Sequence, residues 1–116
     1  MTPDSCIFCK IVAGEIPASV VYQDELVLAI RDLNPAASTH VLILPKQHVE
    51  SVNDAAPENE TLFGHLFSVA RKIAEQEGVS TDGYRVVVNT GKNGGQSVPH
   101  LHMHVLGGRA LTWPPG

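Results

Sequence analysis

The stretch His100-Leu101-His102-Met103-His104-Val105-Leu106 decides how this chain is read. Side chains alternate along a strand, so its three imidazoles project from one face and Leu101, Met103 and Val105 from the other. The pattern predicts a strand over 100–106. Three imidazoles in a row suit a satisfied polar face or a metal site. The flanks narrow this choice. Gly94-Gly95-Gln96-Ser97 stands just before the triplet, and Asn89 closes the strand predicted over 85–89. Glycines let backbone N–H groups approach an anion, and Ser97, Gln96 and Asn89 add neutral donors. No Walker-type lysine follows the glycines, and no acidic pair stands ready for Mg²⁺. Loop and histidines together point to phosphate binding without an obligatory metal.

Working outward, Cys6 to Ala13 reads as a short helix ended by Gly14. Val20 to Tyr22, Leu26 to Arg31 and His40 to Leu44 read as strands, the last closed by Pro45. Leu62, Leu66, Val69, Ala70 and Ile73 then recur at helical spacing. Pro57 suits the first turn of that helix and Gly78 its C′ position. His65 falls beside the apolar stripe, where water would solvate it. The expected class is α+β, a five-stranded, mostly antiparallel sheet with two helices. Repeats, linkers and composition shifts are absent, so residues 1–116 are expected to form a single domain.

Composition excludes several function classes. The chain has 116 residues, 43% hydrophobic and 17% charged, which is unlike a disordered protein. A net charge of -4 with no basic stripe argues against nucleic acid and anionic membranes as partners. The longest apolar run, Leu26 to Ile30, is far too short to span a bilayer. Met1 to Ser5 lacks the features of a secretory signal, so a cytoplasmic protein with reduced thiols at Cys6 and Cys9 is expected. Cys6-x-x-Cys9 by itself fits a redox pair, a metal site or coincidence. With no strand ahead of it, the redox reading is the weaker.

At this level of detail the chain resembles the histidine-triad superfamily, in its branch of small nucleotide-binding (Hint) members. The resemblance runs through Cys6-Ile7-Phe8-Cys9-Lys10-Ile11, Glu15-Ile16-Pro17 and His40-Val41-Leu42-Ile43-Leu44-Pro45-Lys46-Gln47-His48. It continues through Val87-Val88-Asn89, Gly94 to Val98, and His100 to Arg109, and ends in Trp113-Pro114-Pro115-Gly116. It implies a HIT-like fold whose sheets join across a homodimer. It also implies hydrolysis of the P–N bond of purine nucleoside 5′-phosphoramidates through a nucleotidyl-histidine intermediate. Alternatives of different class are a dinucleoside polyphosphate hydrolase and a nucleotide-binding regulatory interaction protein. A catalytic zinc centre built on the triplet is a further, weaker option.

Residue roles carried over from the resemblance are as follows in this sequence. His102 is the expected nucleophile, with its other ring nitrogen donating to a backbone carbonyl of the same strand. His104 and the loop donors are expected to stabilise the phosphoryl oxygens, Ser97 to relay a proton to the leaving nitrogen, and His40 to orient the triad from behind. Asp32 matches the acceptor of both ribose hydroxyls. Ile7, Phe8, Ile11, Ile30 and Leu33 match the apolar walls around the base. Asn89, Gly95, Gln96, Ser97, Met103 and the triad histidines complete the expected contacts to AMP, GMP or a phosphoramidate. Cys6, Cys9, His48 and His100 match a structural Cys₂His₂ zinc site, with no metal required for catalysis. His100 then serves mainly to position its strand. Pro99 departs from the pattern, because relatives often carry an aromatic residue there, and leaving-group preference does not transfer.

Overall fold

A computed structural model of the protein describes residues 5–116. The elements in chain order are α1 (Ile7–Val12), β1 (Val20–Gln23), β2 (Val27–Arg31), β3 (Thr39–Pro45), α2 (Glu60–Gln76), β4 (Tyr84–Val87) and β5 (Met103–Gly107). Pro57 opens a 3₁₀ turn at 57–59 that leads straight into α2, where its missing N–H costs nothing. Gly78, with φ +75°, follows the helix end. The strands form one antiparallel sheet in the order β1-β2-β3-β5-β4.

β2 and β3 are buried on both faces, because each face has a helix to cover it. On one side Val27, Ala29, Val41, Ile43, Met103 and Val105 meet Leu62, Leu66, Val69, Ala70 and Ile73 of α2. On the other, Leu28, Ile30, Leu42 and Leu44 meet Cys6 and Phe8 of the N-terminal segment. Period-two alternation therefore sorts β2 and β3 into a thick α2 side and a thin α1 side. The thin side leaves room for polar groups, and His40, His102 and His104 lie there.

Two strands fall more than one residue short of the sequence expectation, for one reason. The ladder starts at Met103, not His100, and β4 ends with its partner at Val87, opposite His104, not at Asn89. Residues 100–102 spend their backbone groups elsewhere. His100 N–H bonds Val98 O at 2.8 Å, Leu101 N–H bonds Val49 O at 2.7 Å, and the His100 carbonyl accepts from a side chain. Chain groups given to the site are lost to the sheet. Alternation nevertheless persists across the break, since Leu101 packs with Met103 and Val105 against α2.

His65 is not a solvated residue. Its Nε2 lies 2.6 Å from Asp24 Oδ2, tying α2 to the β1–β2 turn across 41 positions of sequence. Asp24 also accepts from Tyr22 Oη and from the Leu26 and Val27 amides. Burial would raise its carboxyl, but these donors outweigh it and hold Asp24 well below the usual carboxylate range. Arg31, which the sequence leaves without a role, forms a two-pronged pair with Glu77 at 2.7 and 3.0 Å. That pair anchors the end of β2, next to Asp32, on the C-terminal end of α2.

Candidate active site

Five of the six histidines lie on the α1 side of the sheet or at its end, and their ring nitrogens divide into two chains of contacts. The first begins at a main-chain donor. Ala36 N–H donates to His40 Nδ1 at 3.0 Å, so that nitrogen carries no proton and His40 Nε2 carries one. His40 Nε2 donates to His104 Nδ1 at 2.9 Å. The same reasoning then makes His104 Nε2 an N–H donor. Leu42 stands opposite His104 in the β3–β5 ladder, so His40 and His104 meet on the diagonal across that pair. Burial, followed by the neighbouring His102 and His40, pushes His104 down to about 4, with Asp32 pulling the other way. His104 is thus a neutral donor at pH 7.

The second chain sets His102. Its Nδ1–H donates to the His100 carbonyl at 2.8 Å, which leaves Nε2 with a free lone pair. The ring stands 5.1 Å from that of His104 and 5.1 Å from Phe8, which meets it edge-on. His102 is only 4% exposed, so packing as well as the hydrogen bond restrains its rotation. A nitrogen nucleophile beside a neutral N–H donor suits attack on an electrophile with developing negative charge.

His100 makes the opposite choice. Its Nε2–H donates to Pro45 O at 2.9 Å, so Nδ1 is the unprotonated nitrogen. That nitrogen lies 3.3 Å from Cys6 Sγ and 3.6 Å from Cys9 Sγ, and His48 Nδ1 lies 3.2 Å from Cys9 Sγ. All four ligand atoms fall within 4.8 Å of one another. Tetrahedral zinc with Zn–S and Zn–N bonds of about 2.3 and 2.0 Å places sulfur and nitrogen roughly 3.5 Å apart, so the donor set fits. Burial and then Cys6 push the Cys9 thiol up to about 11, which a thiolate-binding cation would reverse.

Asp32, His40 and His104 also converge within 4.8 Å, yet their chemistry does not fit a metal. A cation would need the lone pair of His40 Nε2, and Ala36 N–H, by occupying Nδ1, forces the proton onto Nε2. The group is a hydrogen-bond relay.

The remaining sequence-derived residues are placed as follows. Asp32 Oδ1 accepts from Asn34 N–H at 2.8 Å, and Oδ2 lies 3.4 Å from His40 Nε2. Its carboxylate sits at the mouth of the relay, 21% exposed. Ile30 is buried beneath the site, Ile11 is half-buried, Ile7 is exposed, and Leu33 is 97% exposed. Met103 packs its side chain on the α2 face, so it faces this site only with its backbone. Asn89 is half-buried and Ser97 exposed.

Gln96, expected among the phosphate donors, has its side chain engaged within the chain. Its amide donates to Glu50 O at 2.8 Å and Val98 O at 2.9 Å, and its oxygen accepts from Gly91 N–H at 3.0 Å. Its own N–H bonds Gly91 O and that of Gly95 bonds Lys92 O. In this conformation Gln96 braces the loop from within. The glycines have separate causes: a Cβ on Gly94 would strike the Thr90 carbonyl, and Gly95 holds φ +80°. No side-chain pattern foretold Ala36 N–H, Pro45 O or the His100 carbonyl, because main-chain groups leave no residue signature.

The His104 shift has a consequence for stability. The unfolded chain takes up a proton on this residue near pH 6.5, while the native state refuses it until about pH 4. Native stability therefore declines as pH falls through that window, and the lowered His100 acts in the same direction. Urea midpoints measured from pH 7.5 to 4.5 should fall steadily; a flat series would show that the relay is not held neutral.

Comparison with known proteins places this geometry in context. The HIT domain family profile matches residues 13–111. The purine nucleoside phosphoramidase of Escherichia coli K12 is 53% identical over 108 residues, covering 93% of this chain and 91% of that protein. A HIT family hydrolase from Legionella pneumophila Philadelphia 1 superposes with a TM-score of 0.95 at 50% identity, covering 97% of this chain and all of that one (100%). A zinc-bound histidine triad family protein from Mycobacterium smegmatis has a TM-score of 0.81 at 35% identity, over 93% of this chain and 78% of its own.

Proposed function

The chain belongs to the HIT family, and from that premise we propose that it hydrolyses purine nucleoside 5′-phosphoramidates by nucleotidyl transfer through His102. The observation that carries this reading is the pair of opposite tautomers, a bare Nε2 on His102 beside a protonated Nε2 on His104. His102 Nε2 attacks phosphorus, a P–N bond to the enzyme forms, and the P–N bond to the leaving amine breaks. The departing nitrogen takes a proton from solvent water, relayed through the exposed Ser97 hydroxyl, and the hydroxide left behind is neutralised by the proton released when water later cleaves the adduct. His104 Nε2–H stabilises the phosphoryl oxygens during both displacements. Water then cleaves the phosphoryl-imidazole bond, releasing the nucleoside monophosphate and restoring His102. Asp32 accepts from the ribose hydroxyls, and apolar contact alone holds the base, which favours tolerance of adenine and guanine alike.

Zinc belongs to Cys6, Cys9, His48 and His100 in this reading, where a closed set of four ligands leaves no open position for substrate. The metal, when bound, neutralises the thiolates and ties the N-terminal segment to the triad. The active unit is a homodimer. Support comes from the sheet edge at β4 and from an apolar hollow of about 330 Å³ beside it, lined by Val52, Phe63, Phe67 and Val88 among others. Val52 and Phe67 are exposed there, as an interface waiting for its partner would have them. Among the described residues no helix is long and apolar enough to cross a membrane, and the cytoplasm is the proposed compartment.

The deciding experiment offers adenosine 5′-phosphoramidate and diadenosine polyphosphate side by side, each with and without chelator. Preferential release of AMP from the phosphoramidate, persisting after chelation, is expected. Preference for the polyphosphate would move the protein to the dinucleotide hydrolases, and loss of all turnover on chelation would make the metal catalytic.

A further inference from the structure

We propose that the Cys6–Cys9–His48–His100 group is a positioning device for the nucleophile: zinc held there sets the orientation of the His102 ring and so governs the rate of nucleotidyl transfer without contacting the nucleotide. The inference rests on the function proposed above and adds a control to it. One residue carries the connection. His100 offers Nδ1 to the two sulfurs, Nε2–H to Pro45 O, and its carbonyl to His102 Nδ1–H. Its ring is fully buried, so a change at Nδ1 has no solvent in which to dissipate. Nor does the sheet hold this stretch in place, because the β5 ladder begins only at Met103.

Two further links run the same way. His48, Val49 and Glu50 are consecutive. The first contacts Cys9 through Nδ1, the second accepts from Leu101 N–H at 2.7 Å, and the third accepts from Gln96 at 2.8 Å. A single tripeptide thus connects the metal ligands to the triad backbone and to the glycine loop. Phe8, between the two cysteines, stands edge-on to both His100 (5.8 Å) and His102 (5.1 Å). Four metal bonds would lock all three connections at once. Without them the cluster relies on contacts of sulfur with nitrogen at 3.2 to 3.6 Å, which are weak hydrogen bonds.

The test compares full-length protein loaded with zinc, stripped by chelator, and reloaded. Three quantities are measured: the single-turnover rate of adenylyl-protein formation, the Kd for AMP by calorimetry, and the histidine ring nitrogen resonances. Stripping should slow adduct formation about tenfold, the scale seen when groups around metal ligands are disturbed. The AMP Kd should stay within about twofold and the His102 Nδ1–H resonance should shift or broaden, both the rate and the resonance recovering with zinc. Cys9→Ser should copy the stripped protein and resist zinc rescue; Cys9 is chosen because Cys6 is fully buried and caps α1. Unchanged rate and resonances would overturn the proposal. So would a parallel loss of rate, AMP binding and helical circular dichroism, since that marks a metal that merely keeps the protein folded. If no state forms an adduct, the function proposed above fails, and the ring resonances still decide the coupling.

Discussion

His102→Ala should abolish phosphoramidate turnover, lowering kcat by about four orders of magnitude or more, because the bond-forming atom itself is gone. Among the described residues, neither imidazole beside it can replace it. The Nε2 of His104 is protonated and that of His40 is engaged with His104, so neither has a lone pair to offer. Labelled adenylyl group recovered on the wild-type protein after rapid quenching should map to His102 and vanish in the variant. AMP binding should survive, since Asp32 and the apolar surfaces are untouched. Substantial residual activity, or an adduct on another side chain, would remove the nucleophile assignment and the mechanism with it.

His104→Ala should cost about 10²- to 10³-fold in kcat, the range for removing one preorganised donor from a developing oxyanion. The prediction depends on tautomer rather than charge. Burial pushes His104 down to about 4, so at neutral pH it acts through an N–H and not as an imidazolium. Protonation of this residue therefore cannot explain any activity change between pH 8 and 6. Steady-state kinetics settle the matter: a fall in kcat with KM little altered fits a donor used mainly in the transition state. A rise in KM at constant kcat would instead make His104 a residue for ground-state binding.

How much of this was legible in advance follows from the range of the forces involved. The period-two pattern of 100–106 placed Leu101, Met103 and Val105 on the core side correctly, because side-chain alternation is a local property of extended chain. It misplaced the start of β5, because the backbone of residues 100–102 bonds to Val98, Val49 and the His102 ring, and those partners depend on the folded chain. The solvated surface expected for His65 gives way to a pair with Asp24 for a similar reason. Each looks like an ordinary surface residue in its own segment, and only the docking of α2 on the hairpin brings them to 2.6 Å. The Gln96 side chain likewise closes the loop on Gly91 and on Glu50, partners that no local pattern in the sequence names.

Residue order alone determined that one sheet would form with a long amphipathic helix against it, and which histidines and cysteines were available for chemistry. Those properties rest on periodicity and residue type, which act within a few positions of the chain. Only the tertiary structure decided which nitrogen of each imidazole holds the proton. That choice is made by Ala36 N–H, Pro45 O and the His100 carbonyl, main-chain groups that reach the rings through folding. Because a ring nitrogen is a donor or an acceptor according to what faces the other one, three similar histidines present three different atoms: on His100 a bare Nδ1 toward two sulfurs, on His102 a bare Nε2, and on His104 a protonated Nε2.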